Sequence, residues 1–459
     1  MKHLVWYRND LRIRDHLPLT KAVAAGTMAA VYCFDPRHFA ITRYGFPKTG
    51  SIRARFLMES VSRLRESLNG NLIVRIGKPE EEIPQLAAEA GFGTIWYHRE
   101  VTQEEILVEQ DMKKAFEGEM VSVPGHTLYH PDDLPMRPRE LPDVFTRFRK
   151  QVEKESRVRK PLPAPDRIEG PLPGIDYGDI PDLEELGLKP LAKDPRSVLP
   201  FEGGEEKAWE RLNHYMFKSD SIRNYRQTRN GLLGADYSSK FSPWLAHGSI
   251  SAVSIYDQVE RYEEEKVKNE STYWMKFELI WRDFFRFSAM KHGNALFHPG
   301  GIQGEIPQMK SDAELFRRWA DGETGIPFVD ANMRELKQTG FMSNRGRQNV
   351  ASFLSQDLQV DWRMGAAWFE SMLIDYDVAS NWGNWAYNST VGHDPRNRKF
   401  HVTGQAKRYD PKGEYVRHWI PELAMVPAEF IHEPWKMSPE QKTLFGVHIG
   451  REYPAPVQL

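Results

Sequence analysis

Short apolar runs alternate with longer amphipathic stretches over the first 130 residues. The runs are rich in β-branched and aromatic residues and span positions 4–7, 28–34, 72–76, 94–97 and 120–123. Between them, stretches such as 53–68 carry apolar residues at helical spacing. This alternation is typical of βαβ units. It predicts a Rossmann-like α/β domain with a parallel sheet over residues 1–130.

The second half of the chain has a different pattern and follows a proline-rich stretch. Nine of the forty residues from 161 to 200 are proline, and proline has no backbone N–H for a helix or a sheet. We therefore expect an extended connector between two domains, at residues 131–204. Beyond it, amphipathic stretches with little strand signal cover positions 205–218, 252–266, 273–292, 312–320, 344–354 and 364–374. These stretches predict an all-helical domain over residues 205–459.

Length, charge and cysteine content narrow the class of protein. A chain of 459 residues exceeds what one hydrophobic core usually supports. The formal net charge of −2 argues against an overall basic nucleic-acid protein, although a local basic patch can still bind phosphate. The single cysteine, Cys33, lies in an apolar run, so we expect a core position and a reducing compartment. Because the chain shows neither a signal-peptide pattern nor an apolar run of membrane-spanning length, we expect a cytoplasmic protein. We also expect a monomer.

The final third gathers groups that suit a redox cofactor. They are Asn344, Arg345, Arg347, Trp362, Asp375, Tyr376, Asp377, Asn381, Trp382 and Trp385. An acyl- or phosphoryl-transfer enzyme needs a nucleophile with a base, whereas stacked indoles suit electron transfer. Eleven of the thirteen tryptophans lie at or after Trp209. The dinucleotide fingerprint G-x-G-x-x-G is absent after the first strand-like run, so the α/β half is not an ordinary dinucleotide domain.

Two further motifs carry candidate chemistry, each with a simpler alternative. In stretch 273–292, Glu278, Trp281, Arg282 and Phe285 share one helix face. The alternative is an intrahelical Glu278–Arg282 ion pair beside core aromatics. Upstream, after Tyr225, the segment 236–246 offers serine hydroxyls and a lysine before a proline-initiated helix, where a phosphate binds well. The alternative there is a serine-rich helix cap.

In their order, these motifs resemble the photolyase/cryptochrome flavoprotein family, from residues 4–12 to residues 419–423. The strongest matches are residues 274–287, 339–349 and 373–388. Residues 346–352, Tyr387 and residues 236–243 are similar to the DASH cryptochrome subgroup in particular. The resemblance implies an N-terminal antenna domain, a long connector and a C-terminal helical domain that holds FAD.

The resemblance also implies which residues hold FAD. Those near its diphosphate and ribityl chain would be Tyr225, Ser238, Ser239, Lys240, Phe241 and Ser242. Those around the flavin ring would be Glu278, Arg282, Asn344, Arg347, Asp375, Asp377 and Asn381. Asp375 would pair with Arg347, since a buried arginine needs a carboxylate, and Asp377 would bond the flavin edge. Asn381 matches the residue facing flavin N5, where a neutral amide serves both protonation states of the ring.

The activity implied is light-driven repair of cyclobutane pyrimidine dimers in DNA, the reaction of a deoxyribodipyrimidine photo-lyase. The damaged bases must be flipped out of the stack, which costs least in single-stranded DNA. Glu278 would hydrogen-bond the dimer, Trp281 would form one wall on which it stacks, and Asn381 would act at the flavin. Gln348 and Tyr387 would form the other wall. Because this second wall is more polar than in typical duplex photolyases, the resemblance implies a preference for single strands.

Electrons would reach the flavin along a chain of tryptophans, of which Trp385 and Trp362 match the first two members. The position of the third, outer tryptophan is occupied by Met309, whose thioether is harder to oxidise than an indole. Trp319 and Trp368 are alternative exits that the sequence does not rank.

Two surface sites are implied as well, and no metal is expected. A basic stretch would neutralise DNA phosphates, unless its charges are simply solvated. It comprises Arg396, Arg398, Lys399, Lys407, Arg408, Lys412 and Arg417. The N-terminal domain would hold an antenna chromophore, a folate of the methenyltetrahydrofolate type, with Glu100 or Glu104 bonding its pterin.

Two other functions remain open. A blue-light photoreceptor of the same fold would signal through its flavin redox state without repairing DNA. The retention of Glu278 and Trp281, and the lack of a long tail up to Leu459, favour the enzyme. A light-independent flavin oxidoreductase would need a nicotinamide-binding loop, and the sequence shows no such motif.

Overall fold

A computed structural model describes residues 2–394, 396 and 399–458. Its first half is built on one parallel sheet. The strands are β1 (Lys2–Tyr7), β2 (Met28–Phe34), β3 (Leu72–Ile76), β4 (Phe92–His98) and β5 (Glu119–Val123). Strand β2, which carries Cys33, is buried along its whole length, as in parallel sheets covered on both faces. Each predicted run lies within an observed strand, so the predicted parallel sheet is confirmed.

The α-helices fall into two groups. In the first half they are α1 (Leu17–Ala25), α2 (Ser51–Ser67), α3 (Pro79–Ala90) and α4 (Gln103–Ala115). In the second they are α5 (Phe145–Glu155), α6 (Glu205–Asn213), α7 (Tyr225–Thr228), α8 (Ser242–Ala246), α9 (Ala252–Glu265), α10 (Glu270–His292), α11 (Ala313–Asp321), α12 (Pro327–Thr339), α13 (Asn344–Ser352), α14 (Trp362–Met372), α15 (Val378–Asn388), α16 (Val402–Tyr409), α17 (Glu414–Trp419) and α18 (Pro439–Leu444). Among the described residues after 145, strand pairing is limited to isolated bridges, which confirms the helical second half. No described helix is both long and apolar enough to cross a bilayer.

The sheet order is β3-β2-β1-β4-β5, so the winding direction changes between β1 and β4. In open sheets of this kind, a crevice lies beyond the carboxyl ends of the two strands at that point. Here the protein's own side chains fill it, because Asp10 Oδ2 lies 2.9 Å from His16 Nε2 and 2.8 Å from His98 Nδ1. The helical half closes over this edge at Gly248, where φ is +67° and a Cβ would lie 2.0 Å from a backbone oxygen of Asn9. Only glycine permits that approach.

The segment between the two halves is extended only in part. Residues 156–204 contain neither helix nor strand, in keeping with their proline content. The preceding helix α5 lies inside the predicted connector 131–204, yet its Phe148 and Val152 are buried in the core of the helical half. The Phe148 ring lies 5.6 Å from that of Phe284 in α10. Part of the segment is therefore packed structure, and the domain limits at 130 and 204 stay predictions.

Helix α10 joins the two halves through three neighbouring side chains. Asp283 is fully buried and accepts hydrogen bonds from the backbone N–H groups of Leu128 and Tyr129, both at 2.8 Å. Arg282 donates to the backbone oxygen of His126, and Arg286 pairs with Glu100. These contacts fix α10 against the chain that leaves β5. They thereby set the position of Trp281, which directly precedes Arg282, and of Glu278 one turn earlier on the same helix.

Candidate active site

The serine-rich segment forms a loop that Arg211 of α6 holds from one side. The guanidinium donates to the backbone oxygens of Ser239 (2.9 Å) and Ser238 (3.0 Å), and it pairs with Asp236 at 2.7 Å. Among the described residues, no hydrogen-bond partner is found for the hydroxyl groups of Ser238, Ser239 and Ser242. The loop is thus fixed through its carbonyl groups, which leaves its hydroxyls open to a ligand.

The helix that follows this loop, α8, begins at Ser242 with Phe241 as its N-cap residue and has no side-chain cap. The alternative of a serine-rich helix cap is therefore wrong. Phe241 is buried with its ring edge-on to Tyr215 at 5.9 Å. Tyr225, the first residue of α7, is buried in the same core. Tyr225 and Phe241, the two aromatic residues predicted to lie near the diphosphate, therefore pack in the core behind the loop and do not face solvent.

Lys240 turns back into the protein. Its backbone φ is +56°, and its Nζ donates to the backbone oxygen of Ala235 (2.7 Å) while lying 3.3 Å from the centroid of the Tyr237 ring. Burial, with repulsion from Arg211, lowers the pKa of Lys240 to about 6. The surroundings of this side chain therefore disfavour its charged form. An anion such as a diphosphate beside it would favour the charged form.

Arg347 and Asp375 form a two-pronged ion pair at the start of α13. Arg347 Nη1 and Nη2 lie 3.0 and 2.8 Å from the two carboxylate oxygens, and Nε donates to the backbone oxygen of Met342 at 2.9 Å. The pairing that the family resemblance implies is therefore present. Asn344, one turn earlier, is exposed. The residue between them, Gly346, has to be a glycine, because a Cβ at this position would lie 1.9 Å from Asn332 Oδ1.

Asp377 and Asn381 lie one turn apart at the start of α15. Asp377 is the N-cap residue, accepts a hydrogen bond from the Ser380 N–H (2.8 Å), and receives another from Arg286 (3.2 Å). Although burial alone would raise it, the pKa of Asp377 is lowered by the positive charges of Arg282 and Arg286. Asn381 Nδ2 donates to the backbone oxygen of Ala366 in α14 at 3.0 Å, so its amide is held in one orientation.

Glu278 and Arg282 do not pair with each other. Glu278, whose side chain is 33% exposed, pairs with Arg229, and the Arg229 guanidinium also lies 4.9 Å from the Trp274 ring. Arg282 donates instead to backbone oxygens of His126 and Leu245. The alternative of an intrahelical Glu278–Arg282 ion pair is therefore wrong. Glu278 remains at a partly open position beside aromatic rings.

Trp281 and Tyr387, predicted as opposite walls, come together from two helices. Their rings lie 6.1 Å apart, edge to face. Trp281 is backed by Phe145 of α5, whose ring stacks on it at 3.6 Å with an interplanar angle of 10°. Gln348, on α13, is partly buried, and its Oε1 has no hydrogen-bond partner among the described residues. Trp281, Tyr387 and Gln348 are all partly exposed and form a site, hereafter the recess, with the Glu278 carboxylate one turn from Trp281.

The tryptophans separate into two sets. Trp385 of α15 packs edge-on against Trp319 at 6.0 Å and Phe369 at 5.1 Å. Trp362 packs edge-on against Trp382 at 5.7 Å and donates its indole N–H to the backbone oxygen of Pro299 at 3.0 Å. Met309 is partly buried against the same core as Trp385. Both predicted electron carriers are buried, and each leads to a different neighbouring indole.

A cleft of about 870 Å³ lies between the two halves, beside β4. Arg99, Glu100, Pro135, Arg137 and Met290 are among the residues that line it. The structure thus brings Glu100, one of the two predicted antenna residues, to a site of chromophore size. The other, Glu104, lies outside this lining, is exposed and pairs with Lys48.

The predicted basic stretch is largely occupied by internal partners. Lys399 pairs with Asp357, Lys407 with Glu433, and Arg417 donates to the backbone oxygen of Val426. Arg396 and Lys412 are exposed, Arg408 lies 5.4 Å from the Tyr409 ring, and Arg398 lies outside the described residues. Arg345, on α13, stacks on the other side of this cluster at 4.5 Å from Tyr409. Arg345 and Arg408 therefore lie against the same Tyr409 ring, whereas Arg226 and Arg229 are paired with Glu270 and Glu278.

Comparison with known proteins decides the family. A family model described as DNA photolyase matches residues 3–166, and one described as the FAD binding domain of DNA photolyase matches residues 274–458. The chain is 54% identical to a cryptochrome DASH of Gloeobacter violaceus over 99% of this chain and 92% of that protein. The chain belongs to the cryptochrome DASH group of the photolyase/cryptochrome family. It is also 50% identical to a cryptochrome DASH of Synechocystis sp., with 99% and 96% of the two chains covered.

Solved structures agree with this cryptochrome DASH assignment. A Synechocystis sp. cryptochrome superposes with a TM-score of 0.96 at 50% identity, covering 99% of this chain and 96% of that one. A class III photolyase from Agrobacterium tumefaciens gives 0.84 at 27% identity, with coverages of 99% and 94%. The predicted fold is confirmed: an α/β domain with a parallel sheet precedes a helical FAD-binding domain.

Buried polar atoms in this cryptochrome DASH fold fit a bound FAD. Tyr237 Oη, Glu335 Oε1, Gln348 Oε1 and Asn349 Oδ1 are buried without a hydrogen-bond partner among the described residues. Buried polar groups are nearly always hydrogen-bonded. FAD offers ribityl and ribose hydroxyls, phosphate oxygens and a ring edge that both donates and accepts. The donor and acceptor set present therefore suits the cofactor that the family model implies.

Some residues of the site carry no local signal in the sequence. Arg211 supports the serine loop from a different helix, and Arg229 meets Glu278 only because α7 packs on α10. Phe145 is different, because positions 145, 148 and 152 follow helical apolar spacing that would have revealed α5. Tyr237 lies within the motif but resembles an ordinary loop residue until its hydroxyl is seen to be buried.

Proposed function

We propose that this cryptochrome DASH protein is a light-driven lyase that reverses cyclobutane pyrimidine dimers in DNA, preferentially in single strands. The observation that carries the proposal is the contact of two partly exposed rings, Trp281 and Tyr387, which meet edge to face with their centroids 6.1 Å apart at the recess. Glu278 lies one turn from Trp281 and is 33% exposed. Flat apolar walls beside a carboxylate suit a flipped pyrimidine, which stacks on rings and offers N–H and carbonyl groups.

The helical half would hold FAD beneath this recess. Ser238, Ser239, Lys240 and Ser242 would bind the diphosphate, with Tyr225 and Phe241 behind them. Arg282, Asn344, the Arg347–Asp375 pair, Asp377 and Asn381 would surround the flavin ring. Bound FAD supplies the chemistry, which is transfer of one electron to the dimer under light and its recovery after the ring opens.

The protein's own side chains would prepare the substrate. Trp281, held against Phe145 at 3.6 Å, gives the dimer a rigid surface on which to stack. Glu278 accepts an N–H of the flipped base, and its partner Arg229 holds the carboxylate at the rim. Asn381 is oriented by the backbone oxygen of Ala366, so its remaining amide oxygen can meet a ring N–H. The rings around the recess exclude water from the reacting bond.

The preference for single strands follows from the second wall. Gln348 and Tyr387 are polar, so they give a flipped dimer less apolar support than hydrocarbon or indole side chains. Unpairing a dimer from duplex DNA costs a few kcal/mol, and a single strand avoids most of that cost. Arg345 and Arg408 would bind the backbone phosphates of the DNA beside the recess.

The cleft lined by Glu100 would hold the antenna, a folate in this proposal. Its volume of about 870 Å³ is sufficient for a drug-sized chromophore. The Glu100 carboxylate is buried and anchored by Arg286, so it can accept from a pterin. If Glu100 holds the antenna, replacing it with Gln should reduce the near-ultraviolet absorbance of the purified protein while its FAD content is unchanged.

We also propose that the protein acts as a monomer in the cytoplasm.

The decisive experiment is dimer reversal by the FAD-loaded, chemically reduced protein. A thymine-dimer oligonucleotide would be presented as a single strand and as a duplex, under blue light and in darkness. Light-dependent reversal confined to the single strand supports the proposal in full, and equal reversal in duplex removes only the strand preference. No reversal of either, with FAD bound and reduced, would overturn the proposal and favour a photoreceptor.

The role of Glu278 has its own test. Glu278→Gln keeps the size of the side chain but removes its charge, so repair should slow by about tenfold or more, the usual effect of losing a charged hydrogen bond. FAD content should not change. Glu265→Gln, an exposed acid of α9 paired with Arg261, is a matched control that should repair like the parent. Equal rates in both variants would remove Glu278 from the proposed mechanism.

A further inference from the structure

Three charged side chains form a buried chain of ion pairs between the cleft beside β4 and the proposed flavin site. Arg286 of α10 pairs through Nη2 with Glu100, which lines the cleft, and its Nη1 lies 3.2 Å from Asp377 Oδ2 at the start of α15. The side chains of Glu100, Arg286 and Asp377 are 4%, 5% and 10% exposed. One guanidinium therefore serves two carboxylates that belong to two different sites.

Both carboxylates are anchored, so the guanidinium is the part of this chain that can move. The Glu100 N–H donates to Glu109 Oε1 at 2.8 Å, and Asp377 Oδ1 accepts from the Ser380 N–H at 2.8 Å. The contact between Arg286 and Asp377, at 3.2 Å, is longer than the distance of about 2.7–2.9 Å that is usual for a charged hydrogen bond. Arg286 can therefore tighten this contact when its hold on Glu100 loosens.

The Glu100 carboxylate is already surrounded by nitrogen atoms of the protein. Its Oε1 accepts from Asn9 Nδ2 at 3.3 Å and lies 3.4 Å from His126 Nε2, and its Oε2 faces Arg286. The ring and amino N–H groups of a pterin in the cleft would compete for the same two oxygens. Such a ligand weakens the Glu100–Arg286 pair and leaves more of the guanidinium charge to Asp377.

Positive charge at the flavin edge affects the redox equilibrium of the ring. Protein charges near the ring nitrogens tune its electronics, and a guanidinium closer to Asp377 favours the electron-rich, reduced ring. Arg282, the other guanidinium on this part of α10, donates to two backbone oxygens instead. Within the described part of the chain, Arg286 is the side chain that contacts both Glu100 and Asp377.

We propose that Arg286 is a positioning residue that couples the antenna cleft to the flavin site, so that a folate bound at Glu100 and the reduced flavin favour each other. This inference rests on the proposed function, since it assumes FAD in the helical half and a pterin ligand in the cleft. By linkage, reduction of the flavin increases the affinity for the folate by the same factor as the folate favours reduction. Such couplings typically change an affinity by about fivefold or more.

The first experiment uses the FAD-loaded protein freed of any antenna. The probe, 5,10-methenyltetrahydrofolate, is added in the dark to oxidised and to chemically reduced protein, and its dissociation constant is measured by equilibrium dialysis. The folate should bind about fivefold more tightly to the reduced protein. Saturating folate should raise the two-electron potential of the flavin by about 20 mV, since a tenfold ratio corresponds to about 30 mV. Equal affinities in the two states, or no binding in either, would overturn the inference.

Two variants of α10 separate coupling from binding. Arg286→Lys keeps the positive charge but lacks the guanidinium fork that holds two carboxylates, so the fivefold ratio should disappear. Met290→Ala trims the lining of the cleft one turn further along the helix, so it should weaken folate binding equally in both states and keep the ratio. FAD content and circular dichroism show that each variant is folded. A ratio that survives Arg286→Lys would remove Arg286 from the coupling.

Replacing Glu100 tests the same route without a folate. Glu100→Gln removes the carboxylate that competes for Arg286, so the flavin potential of the antenna-free protein should rise. Glu205→Gln is the matched control, because Glu205 is a similarly buried acid that pairs with Arg14 at 3.3 Å, and its potential should equal that of the parent. An unchanged potential in Glu100→Gln, or the same rise in both variants, would contradict the proposed route.

Repair is measured separately, with chemically reduced protein that carries no folate, because dimer reversal by this form does not need an antenna. Coupling without dimer reversal would contradict the proposed lyase and leave the role of Arg286 standing. Dimer reversal without coupling would overturn the role of Arg286 and leave the lyase standing.

Discussion

At the scale of single residues, the partner of a charged side chain decides what it can do. Glu278 and Arg282 share a helix face, which their spacing predicts, yet each takes a partner from elsewhere in the chain: Arg229, directly after α7, and the backbone of His126. Periodicity describes one helix at a time, so it cannot say which side chain of a neighbouring element reaches that face. The Arg347–Asp375 pair could be expected only from a resemblance to proteins in which it is present.

The same pair gives a prediction about cofactor binding. Asp375 is 2% exposed, so Asp375→Asn leaves the Arg347 charge without its carboxylate at the flavin site. Removing one partner of a buried ion pair costs about 3 kcal/mol or more. We expect the variant to purify with much less FAD and to unfold at lower urea concentration. Visible absorbance per mole of protein measures the first effect.

Asp361→Asn is the control for that experiment. Asp361 also forms a two-pronged pair, with Arg363 at 2.6 Å, near the start of α14. Asparagine preserves the helix cap at that position, and this pair is not among the residues proposed to hold FAD, so FAD content should match the parent. If both variants lost FAD equally, the effect would come from general destabilisation, and the assignment of Asp375 to the cofactor site would be wrong.

At the scale of elements, helical periodicity located α9 and α10 closely but not α12. Helix α12 buries Asp330, Asn332 and Glu335, so polar residues occupy the face where the pattern requires apolar ones. Asp330 accepts hydrogen bonds from nearby Thr324 and Gly325, but it also accepts one from distant Tyr453 at 2.5 Å, and Glu335 accepts one from distant Tyr415 at 2.6 Å. A polar face that distant residues satisfy resembles a solvent-exposed one in the sequence. The sequence therefore predicted that this region is helical, but it did not predict the position of α12.

Helix α5 provides a test of how an element outside the predicted domains supports the recess. Phe145 is 6% exposed and stacks on Trp281, so Phe145→Ala should reduce the free energy of unfolding by about 3–5 kcal/mol. It should also weaken dimer binding, because Trp281 loses the ring that holds it. Urea denaturation and binding of a dimer-containing oligonucleotide measure the two effects. Arg147→Ala, an exposed change on the same helix, should alter neither, and equal stability of both variants would contradict this account.

Across the whole molecule, buried titratable groups pull the pH dependence of stability in opposite directions. Burial lowers the pKa of His247 to about 3 and those of His98 and His393 to about 4. Below about pH 6.5 the unfolded chain then binds more protons, so these histidines reduce the free energy of unfolding as pH falls. Burial raises the pKa of Glu335 to about 8 and of Asp283 to about 7. Here the folded state binds more protons, so stability falls as pH rises toward those values.

Replacing one buried acid and one buried histidine should change the pH dependence of the free energy of unfolding in opposite directions. Glu335→Gln keeps an acceptor for Tyr415 and cannot ionise, so its stability relative to the parent should rise with pH between about 4.5 and 8. His247→Gln keeps a donor for the Ile374 backbone oxygen and cannot take up a proton, so its relative stability should rise as pH falls below about 6.5. Each slope approaches about 1.4 kcal/mol per pH unit. Urea unfolding of the FAD-loaded proteins across this range measures both, and variants that differ from the parent by the same amount at every pH would show that neither group titrates as its burial requires.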